Sequence, residues 1–253
     1  MKTTPLGPCL TLLSWNLFLG SGAPRNVLDH VRKHWNVFFF EHGPRWSVDP
    51  AARLIRELNC DVVCLQEVDG GSWRNRYRNL VAELADRAAL PYYEFAPQRR
   101  RHCNDGIALL SRYPLEDLTT TVLVHDFEQR GLIHARVSLA ERRVGVAVTH
   151  LAALPFNSAM RRKQAEHIAR ELCELGPLLL AADFNCDPDA PELLPLKQQG
   201  RLRALVTEPT FPAYRPAQRL DNVFATPDIR VREARVLGDR HSDHLPVLVR
   251  IEL

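Results

Sequence analysis

Short apolar runs recur along this chain, and several of them end directly in a polar residue. Runs this short, without helical periodicity, are typical of buried β-strands. Four runs and the polar residues that follow them are residues 10–15 with Asn16, residues 61–66 with Glu67, residues 143–149 with His150, and residues 178–182 with Asp183. The pattern therefore predicts strands that carry carboxylate, amide and imidazole groups at their ends.

The run at residues 178–182 shows this pattern most clearly, because a Gly-Pro pair precedes it and Asp183, Phe184 and Asn185 follow it. Successive side chains of a strand point to opposite faces, so we expect Asp183 and Asn185 to point to the same side. A carboxylate and an amide at the end of a buried strand are suited to holding a hard cation and a reacting oxygen. The alternative is that the two residues only begin a turn, which Asp and Asn favour.

Further strands are predicted at residues 106–111, 118–124, 132–139, 220–225, 229–237 and 246–251. Three helices are predicted: one begins at residue 47, one covers residues 73–88, and one covers residues 158–175. In the third helix, Ile168 is predicted to face inward and Arg161 outward. Several strands follow one another without a helix between them, which argues against a doubly wound parallel sheet. We predict an α+β fold in one domain, residues 1–253, as a four-layer α/β/β/α sandwich of two mixed sheets flanked by helices.

The composition is that of an ordinary soluble protein, with 253 residues, 45% hydrophobic and 25% charged. The net charge of +3 and the pI of about 8.6 permit a phosphate-bearing substrate without requiring nucleic acid. The six cysteines form no CxxC pair, and no apolar segment approaches the roughly 20 residues of a membrane span. The first run continues into Ser-Trp-Asn, so we interpret it as a strand and not as a signal peptide. We expect a cytoplasmic monomer with reduced thiols.

More polar residues stand at the other predicted strands. Asp221 and Asn222 lie in the strand at residues 220–225, and the string RHSDH at residues 240–244 precedes the last strand. Mg²⁺ prefers carboxylate oxygens together with water and substrate phosphate. A histidine that a carboxylate orients can accept a proton near neutral pH. If several strands end on one edge, the set indicates metal-assisted cleavage of a phosphate ester.

Seven strings occur in the order in which the endonuclease/exonuclease/phosphatase superfamily has them: LSWNL, DVVCLQEV, GIALLSRYPL, VAVTHL, LLAADFN, RLDNVF and HSDHLPV. The chain resembles this superfamily, which includes DNase I-like nucleases, abasic-site endonucleases, neutral sphingomyelinases and inositol polyphosphate 5-phosphatases. The resemblance covers residues 10–251. It implies a DNase I-like fold and metal-dependent hydrolysis of a phosphate ester.

The resemblance also implies a metal site. Glu67 is expected to be the main Mg²⁺ ligand, with Asn16 beside it at the metal and Asp243 near it. Mn²⁺ is the expected substitute for Mg²⁺.

The resemblance implies catalytic roles for five further residues. His150 is expected to contact the scissile phosphate and to stabilise its developing charge. Asp183 would orient or deprotonate the attacking water, and Asn185 would hold that water or a phosphate oxygen. His244 would pair with Asp221, as a histidine oriented by a carboxylate. Whether Asp183 or His244 accepts the proton stays open at this point.

The sequence departs from the family pattern at two positions. Ala182 replaces the usual glycine before Asp-Phe-Asn. Asn222 stands where an aromatic residue or histidine often follows the aspartate, so we expect the pocket wall to differ there.

The strings THL, RRKQAEHI and TFP look most like the bacterial branch that includes sphingomyelinase-like and uncharacterised hydrolases. DNA-repair enzymes of the superfamily usually have an aromatic residue where His150 stands. We therefore predict a Mg²⁺-dependent phosphoesterase, with a phosphodiester substrate favoured. The alternatives are a DNA or RNA nuclease and a catalytically silent binding scaffold with the same fold.

Three features leave alternatives open. The basic run at residues 99–102 is typical of a solvated surface, but it could also meet a phosphate-rich substrate such as nucleic acid. The aromatic segment from Trp35 to Trp46 is typical of core, but it could also face a substrate or a membrane lipid surface. His30 and the other isolated histidines are interpreted as structural or solvated.

Overall fold

The computed structural model describes residues 8–39, 47–98, 104–125, 128–139 and 141–253, with the backbone alone at residues 34–39 and 74. The strands in these ranges are β1 Cys9–Asn16, β2 Val62–Asp69, β3 Tyr92–Pro97, β4 Asp105–Ser111, β5 Glu116–Leu123, β6 Arg130–Leu139, β7 Arg142–His150, β8 Leu178–Asp183, β9 Arg203–Ala204, β10 Asp221–Ala225, β11 Arg230–Val236 and β12 Val247–Glu252. The α-helices in these ranges are α1 Val27–Phe39, α2 Asp49–Glu57, α3 Leu80–Ala88, α4 Ser158–Leu172 and α5 Leu194–Gln198.

The strands form two six-stranded sheets, with the orders β11-β12-β1-β2-β4-β3 and β5-β6-β7-β8-β10-β9. Each sheet is mixed, because β1 and β2 pair in parallel in the first sheet and β7 and β8 pair in parallel in the second. The neighbouring strands around these pairs run antiparallel. Together with the helices on the outer faces, this arrangement confirms the predicted fold.

The strand β2 explains why the strand sequences are continuous apolar runs. Val62 and Cys64 belong to the core between the two sheets, whereas Val63 and Leu65 belong to the core beneath the helices. Both faces of the strand are therefore covered. A strand buried on both faces loses the apolar-polar alternation of a half-exposed one.

Helices cover the outer face of each sheet. The helices α2 and α3 bury Ile55 and Leu84 against the first sheet, and α4 buries Ile168 and Leu172 against the second. None of the helices in the described part of the chain has the length and apolar composition needed to cross a bilayer.

The parallel pairs bring the polar strand ends to one edge. Asn16 at the end of β1 stands opposite Gln66 of β2, and His150 at the end of β7 stands opposite Asp183 of β8. The strand β10 runs antiparallel to β8 and places its first residue, Asp221, opposite Asp183. Because carboxyl ends of parallel strands share an edge, side chains from distant parts of the chain meet there.

The predicted helix at residues 73–88 is wrong in its first half. A single 3₁₀ turn covers Trp73–Asn75, and α3 begins only at Leu80. Arg76 and Tyr77 between them both have positive φ, 62° and 61°, a left-handed conformation that an α-helix cannot contain. The Asn79 side chain then accepts a hydrogen bond from the Ala82 backbone N–H and caps α3.

The sequence patterns missed α1 and β3. The strand β3 lies at the edge of its sheet with two exposed tyrosines at its start, so it lacks the apolar run of a central strand. The backbone of α1 continues to Phe39 through the first part of the aromatic segment. The expectations for the aromatic side chains from Trp35 to Trp46, and for the basic run at residues 99–102, lie outside the described residues.

Candidate active site

A cleft of about 840 Å³ opens at the edge where the strand ends meet. Five of the eight predicted site residues line it: Glu67, Asp183, Asn185, Asp243 and His244. The other three, Asn16, His150 and Asp221, lie behind the lining, and each contacts one of the lining residues. The structure therefore brings together all eight residues that the sequence singled out.

Asp183 is the centre of the cluster. Its Oδ2 accepts a hydrogen bond from Nδ2 of Asn16 over 2.9 Å, and its Oδ1 accepts one from the backbone N–H of Asn185 over 2.9 Å. Nε2 of His150 lies 3.6 Å from the same Oδ2. Burial raises the pKa of the Asp183 carboxyl, and the negative charge of Asp221 adds to the effect, which brings the pKa to about 6.

His244 and Asp221 form a hydrogen-bonded pair. Nδ1 of His244 lies 2.7 Å from Oδ2 of Asp221, so Nδ1–H donates and Nε2 is the ring nitrogen left for other partners. Nε1 of Trp15 donates to the backbone carbonyl of His244 over 3.0 Å. Burial alone would lower the pKa of His244, but the charges of Asp221, Asp183 and Asp243 outweigh it and hold the pKa well above its ordinary value.

Glu67 reaches the cleft through an irregularity in β2. The register between β2 and β4 shifts between Leu65 and Val68, and Glu67 itself has a φ of 50°. Such a bulge bends the strand and redirects one side chain. Glu67 is also the one residue of β2 that is not fully buried. The bulge therefore turns a carboxylate out of the sheet and into the cleft.

The expectation that strand alternation places Asn185 beside Asp183 is wrong. The strand β8 ends at Asp183, and Asn185 has a φ of 52° in the left-handed region. The Asp183 carboxylate closes the turn on the Asn185 backbone, and Nδ2 of Asn185 donates to the carbonyl of Leu151 over 3.1 Å. A turn that Asp183 caps, and not strand geometry, holds Asn185 at the cleft.

Asn222 does not line the cleft, although we expected it to bear on the pocket wall. Its side chain is fully buried on the other face of β10 from Asp221. Its Oδ1 accepts hydrogen bonds from the backbone N–H groups of Leu205 and Val206, and its Nδ2 donates to the carbonyl of Val206 over 2.8 Å. The amide thus anchors the segment at residues 205–206.

The profile of the Endonuclease/Exonuclease/phosphatase family matches residues 13–244, which span both sheets and the whole cluster. The chain belongs to this family. Members of the endonuclease/exonuclease/phosphatase family hydrolyse phosphate esters, so the protein is a hydrolase of this kind.

The chain is also similar to individual proteins in sequence or in structure. The uncharacterized protein YbhP of Escherichia coli K12 is 29% identical over 229 residues, which cover 79% of this chain and 86% of YbhP. A family structure from Beutenbergia cavernae DSM 12333 has a TM-score of 0.76 at 22% identity, covering 97% of this chain and 72% of that one. ANGEL2, a 2′,3′-cyclic phosphatase, has a TM-score of 0.74 at 14% identity, covering 97% of this chain and 96% of ANGEL2. The two structural similarities concern the fold.

The donor groups of this family member fit a divalent cation beside Glu67 and Asp243. Both carboxylates line one cleft, and carboxylate oxygens are the ligands that Mg²⁺ takes in proteins. Asn16 has less freedom to bind a metal than expected, because its Oδ1 already accepts the Phe18 backbone N–H over 3.0 Å. Its place at a metal stays a prediction.

A second group of ligand-type atoms occurs in Asp183, Asp221 and His244, all within 4.8 Å of one another. The 2.7 Å separation between His244 and Asp221 is a hydrogen-bond distance. A nitrogen that carries this proton has no lone pair for a metal. We therefore interpret the trio as a proton-carrying network next to the metal donors.

Sequence patterns missed three residues of this region. Phe211 lines the cleft with its ring centroid 4.6 Å from that of His244. His30, interpreted as structural, has Nε2 3.1 Å from Oδ2 of Asp243. Arg161, predicted to face outward, is buried and bonds to Glu192 and to three backbone carbonyls. The sequence strings that contain Phe211 and Arg161 gave these residues no role at the site, and no string marked His30, because their partners lie far away in the sequence or in a loop.

Proposed function

We propose that this protein is a Mg²⁺-dependent phosphoesterase that hydrolyses a phosphodiester by attack of water. The observation that carries the proposal is one cleft in which the Glu67 and Asp243 carboxylates lie beside Asp183 and the His244–Asp221 pair. Hard-cation donors, a buried base and an oriented imidazole are the groups that this chemistry requires.

Asp183 is the group best suited to accept the proton of the attacking water. A general base works best when its pKa lies near the working pH, and the pKa of Asp183 is raised to about 6. The hydrogen bonds from Asn16 and the Asn185 backbone hold its carboxylate in one orientation. His244 suits this role less, because its raised pKa keeps it protonated near neutral pH.

The protonated His244 instead supplies positive charge to the phosphoryl group. Asp221 holds the ring through Nδ1, which leaves Nε2–H to donate to a phosphoryl oxygen as negative charge develops there. His150, whose Nε2 lies 3.6 Å from Oδ2 of Asp183, would contact the same phosphate. Ring nitrogens of both histidines lie within 4 Å of this oxygen of the proposed base.

Glu67 and Asp243 are the residues that would hold Mg²⁺, with Mn²⁺ as substitute. A bound divalent cation supplies charge neutralisation of the phosphate and polarisation of its P–O bonds.

The cleft favours a small ester over a polyanion. Two arginines, Arg161 and Arg219, line the part of the cleft that the structure describes. Arg161 is paired with Glu192, and Arg219 is paired with Asp187. Binding of a nucleic-acid backbone needs several cations that are free to neutralise phosphates. In the described lining both arginines are already neutralised, which supports a substrate with a single phosphate.

The similarity to ANGEL2 supports a diester. A 2′,3′-cyclic phosphate is a phosphodiester within one nucleotide, and ANGEL2 is a 2′,3′-cyclic phosphatase. A nuclease remains the second candidate, since the mildly basic net charge of +3 favours anionic partners.

A substrate panel with purified protein tests the proposal. The substrates are a bis-aryl phosphodiester, an aryl phosphomonoester, plasmid DNA, an RNA oligomer, and vesicles of sphingomyelin or a phosphoinositide, each with Mg²⁺ and with EDTA. We expect EDTA-sensitive cleavage of the small diester by the wild type, and the His244→Ala variant should lack this activity. Cleavage of nucleic acid alone, with strong salt dependence, would establish the nuclease instead. Absence of turnover on every substrate would favour the scaffold.

A further inference from the structure

His30 joins helix α1 to the metal side of the cleft. It is the fourth residue of the helix, and its Nε2 lies 3.1 Å from Oδ2 of Asp243. A carboxylate only accepts hydrogen bonds, so Nε2 carries the proton and donates. Both side chains are largely buried, with 12% exposed for His30 and 3% for Asp243.

Aromatic rings hold the His30 imidazole on several sides. The ring centroids of Phe18, Phe211 and Tyr214 lie 6.1, 5.4 and 6.1 Å away, and all three contacts are edge-to-face or nearly so. A ring confined in this way loses the freedom to rotate away from its partner. The donor nitrogen therefore stays directed at Asp243.

The helix that carries His30 is itself anchored beside the cleft. Nζ of Lys33 donates to three consecutive backbone carbonyls, those of Ser21, Gly22 and Ala23, over 3.1, 2.8 and 3.0 Å. The Asn26 side chain accepts a hydrogen bond from the Asp29 backbone N–H in the first turn of the helix. The position of the helix, and with it that of His30, is fixed relative to the end of β1.

The two carboxylate oxygens of Asp243 have different partners. Oδ2 meets His30, and Oδ1 accepts a hydrogen bond from the Ser242 hydroxyl over 3.2 Å. A carboxylate oxygen has two lone pairs, and each of these bonds uses one of them. Carboxylates that bind metals are commonly held by such partners, because a fixed ligand loses less freedom when the metal binds.

We propose that His30 is a positioning residue that acts through Asp243 and holds this carboxylate in place for the divalent cation. The inference rests on the proposed function, because it takes Asp243 as part of the metal site. It assigns a role in the site to α1, whose opposite face exposes 82% of Leu28 to solvent.

Three variants test the role of the donor. His30→Leu removes the donor and keeps an apolar side chain in the pocket of rings. His30→Gln keeps an N–H donor at about the reach of Nε2. Leu28→Ala changes the exposed face of the same helix and serves as matched control. Thermal unfolding without metal confirms that each variant folds, and His30→Met replaces His30→Leu if that variant does not fold.

The first readout is Mn²⁺ binding by calorimetry in the absence of substrate, and the second is the Mg²⁺ midpoint of turnover on the bis-aryl phosphodiester. We expect His30→Leu to weaken Mn²⁺ binding and to raise the Mg²⁺ midpoint by about 10-fold or more. His30→Gln should recover most of this loss, and Leu28→Ala should match the wild type. If His30 served only in packing, His30→Leu would bind Mn²⁺ as the wild type does, and His30→Gln would bind it more weakly.

Wild-type Mn²⁺ affinity in His30→Leu would overturn the inference, and so would a loss in His30→Gln as large as that in His30→Leu. Calorimetry measures Mn²⁺ binding without substrate, so it distinguishes a failure of this inference from a failure of the proposed function. If wild-type protein binds Mn²⁺ more tightly than His30→Leu but cleaves no ester, the proposed function fails and the role of His30 stands.

Discussion

The side-chain amide of Asn16 donates a hydrogen bond to the Asp183 carboxylate over 2.9 Å. Asn16 ends a strand of the first sheet and Asp183 ends a strand of the second, so the bond joins the two sheets where the cleft opens. The same Asn16 side chain accepts the Phe18 backbone N–H, which fixes the orientation of its amide. The central carboxylate is therefore oriented by a residue of the opposite sheet.

Replacement of Asn16 by alanine should shift the pH profile. The Asn16 hydrogen bond lowers the pKa of Asp183, so its loss should raise that pKa further above its value of about 6. The acidic limb of kcat/KM should then move to higher pH by about one unit, the size of a hydrogen bond to a charged group. A pH–rate profile on the small diester measures this shift. An unchanged acidic limb would show that Asp183 is not the base.

Replacement of Asp183 by asparagine should change how stability depends on pH. The pKa of Asp183 is about 6 in the folded protein against an ordinary value of 3.8, so the folded state binds this proton more tightly. The free energy of unfolding that this proton contributes is fully present below the ordinary pKa of 3.8, and it is lost as the pH rises through the pKa of about 6 in the folded protein. Relative to the variant, the wild type should therefore lose free energy of unfolding between about pH 4 and pH 7.

Urea unfolding of both proteins at several pH values measures the difference in their free energies of unfolding. Hydrogen bonds lost in the variant change this difference by a constant amount and do not affect how it varies with pH. The variant should also lose about 10²–10⁴-fold in turnover, the typical contribution of a general base. A stability difference that is flat across this pH range would contradict the raised pKa.

The His244–Asp221 pair should behave as one unit. His244→Ala and Asp221→Ala should each lower turnover by about 10²–10⁴-fold, and the double variant should be little worse than His244→Ala. In Asp221→Asn the pKa of His244 should fall, because the Asp221 charge raises it. Imidazole proton resonances followed by NMR against pH measure the pKa. Additive losses in the double variant would show that the two residues act separately.

Glu67→Gln should weaken metal dependence without harming the fold. The substitution keeps the shape of the side chain and removes the charge of a hard-oxygen ligand, so the Mg²⁺ midpoint of turnover should rise by about 10-fold or more. Glu57→Gln makes the same chemical change at an exposed helix end and serves as control. Equal Mg²⁺ midpoints for the two variants would show that Glu67 does not bind the metal.

Arg161→Met should destabilise the protein by about 3–5 kcal/mol, because it leaves the buried Glu192 without its charge partner. Arg161 also holds the backbone carbonyls of Ala152 and Leu154 in the loop that follows His150. Arg162→Met on the same helix breaks an exposed pair with Glu166 and should cost about 0–1 kcal/mol. Urea unfolding compares the two variants, and equal losses would contradict a structural role for the buried arginine.

The predictions of the central strands succeeded because burial on both faces leaves a continuous apolar run, which is a local property of the sequence. The polar residues that end these runs were equally visible, and the resemblance to the family assigned them roles. The helix prediction at residues 73–88 failed for a local reason as well, since the positive φ values at Arg76 and Tyr77 leave no mark in hydrophobic periodicity.

Contacts between distant residues were not predictable in this way. Asn16 and Asp183 are 167 positions apart, and His30 and Asp243 are 213 apart. Nothing next to His30 in the sequence distinguishes it from an isolated surface histidine. Arg161 was likewise indistinguishable from the other basic residues of its helix, because its partner Glu192 lies in a different segment.

The sequence by itself determined the layered architecture, the family and the set of polar residues at the strand ends. The strands and their polar ends follow from burial, which acts over a few neighbouring residues, and the family follows from the resemblance of seven strings in order. Only the tertiary structure decided how the polar groups pair: Asn16 with Asp183, His244 with Asp221, and His30 with Asp243. Each of these contacts depends on how the two sheets, the helix α1 and the connecting loops pack together, which no local pattern encodes.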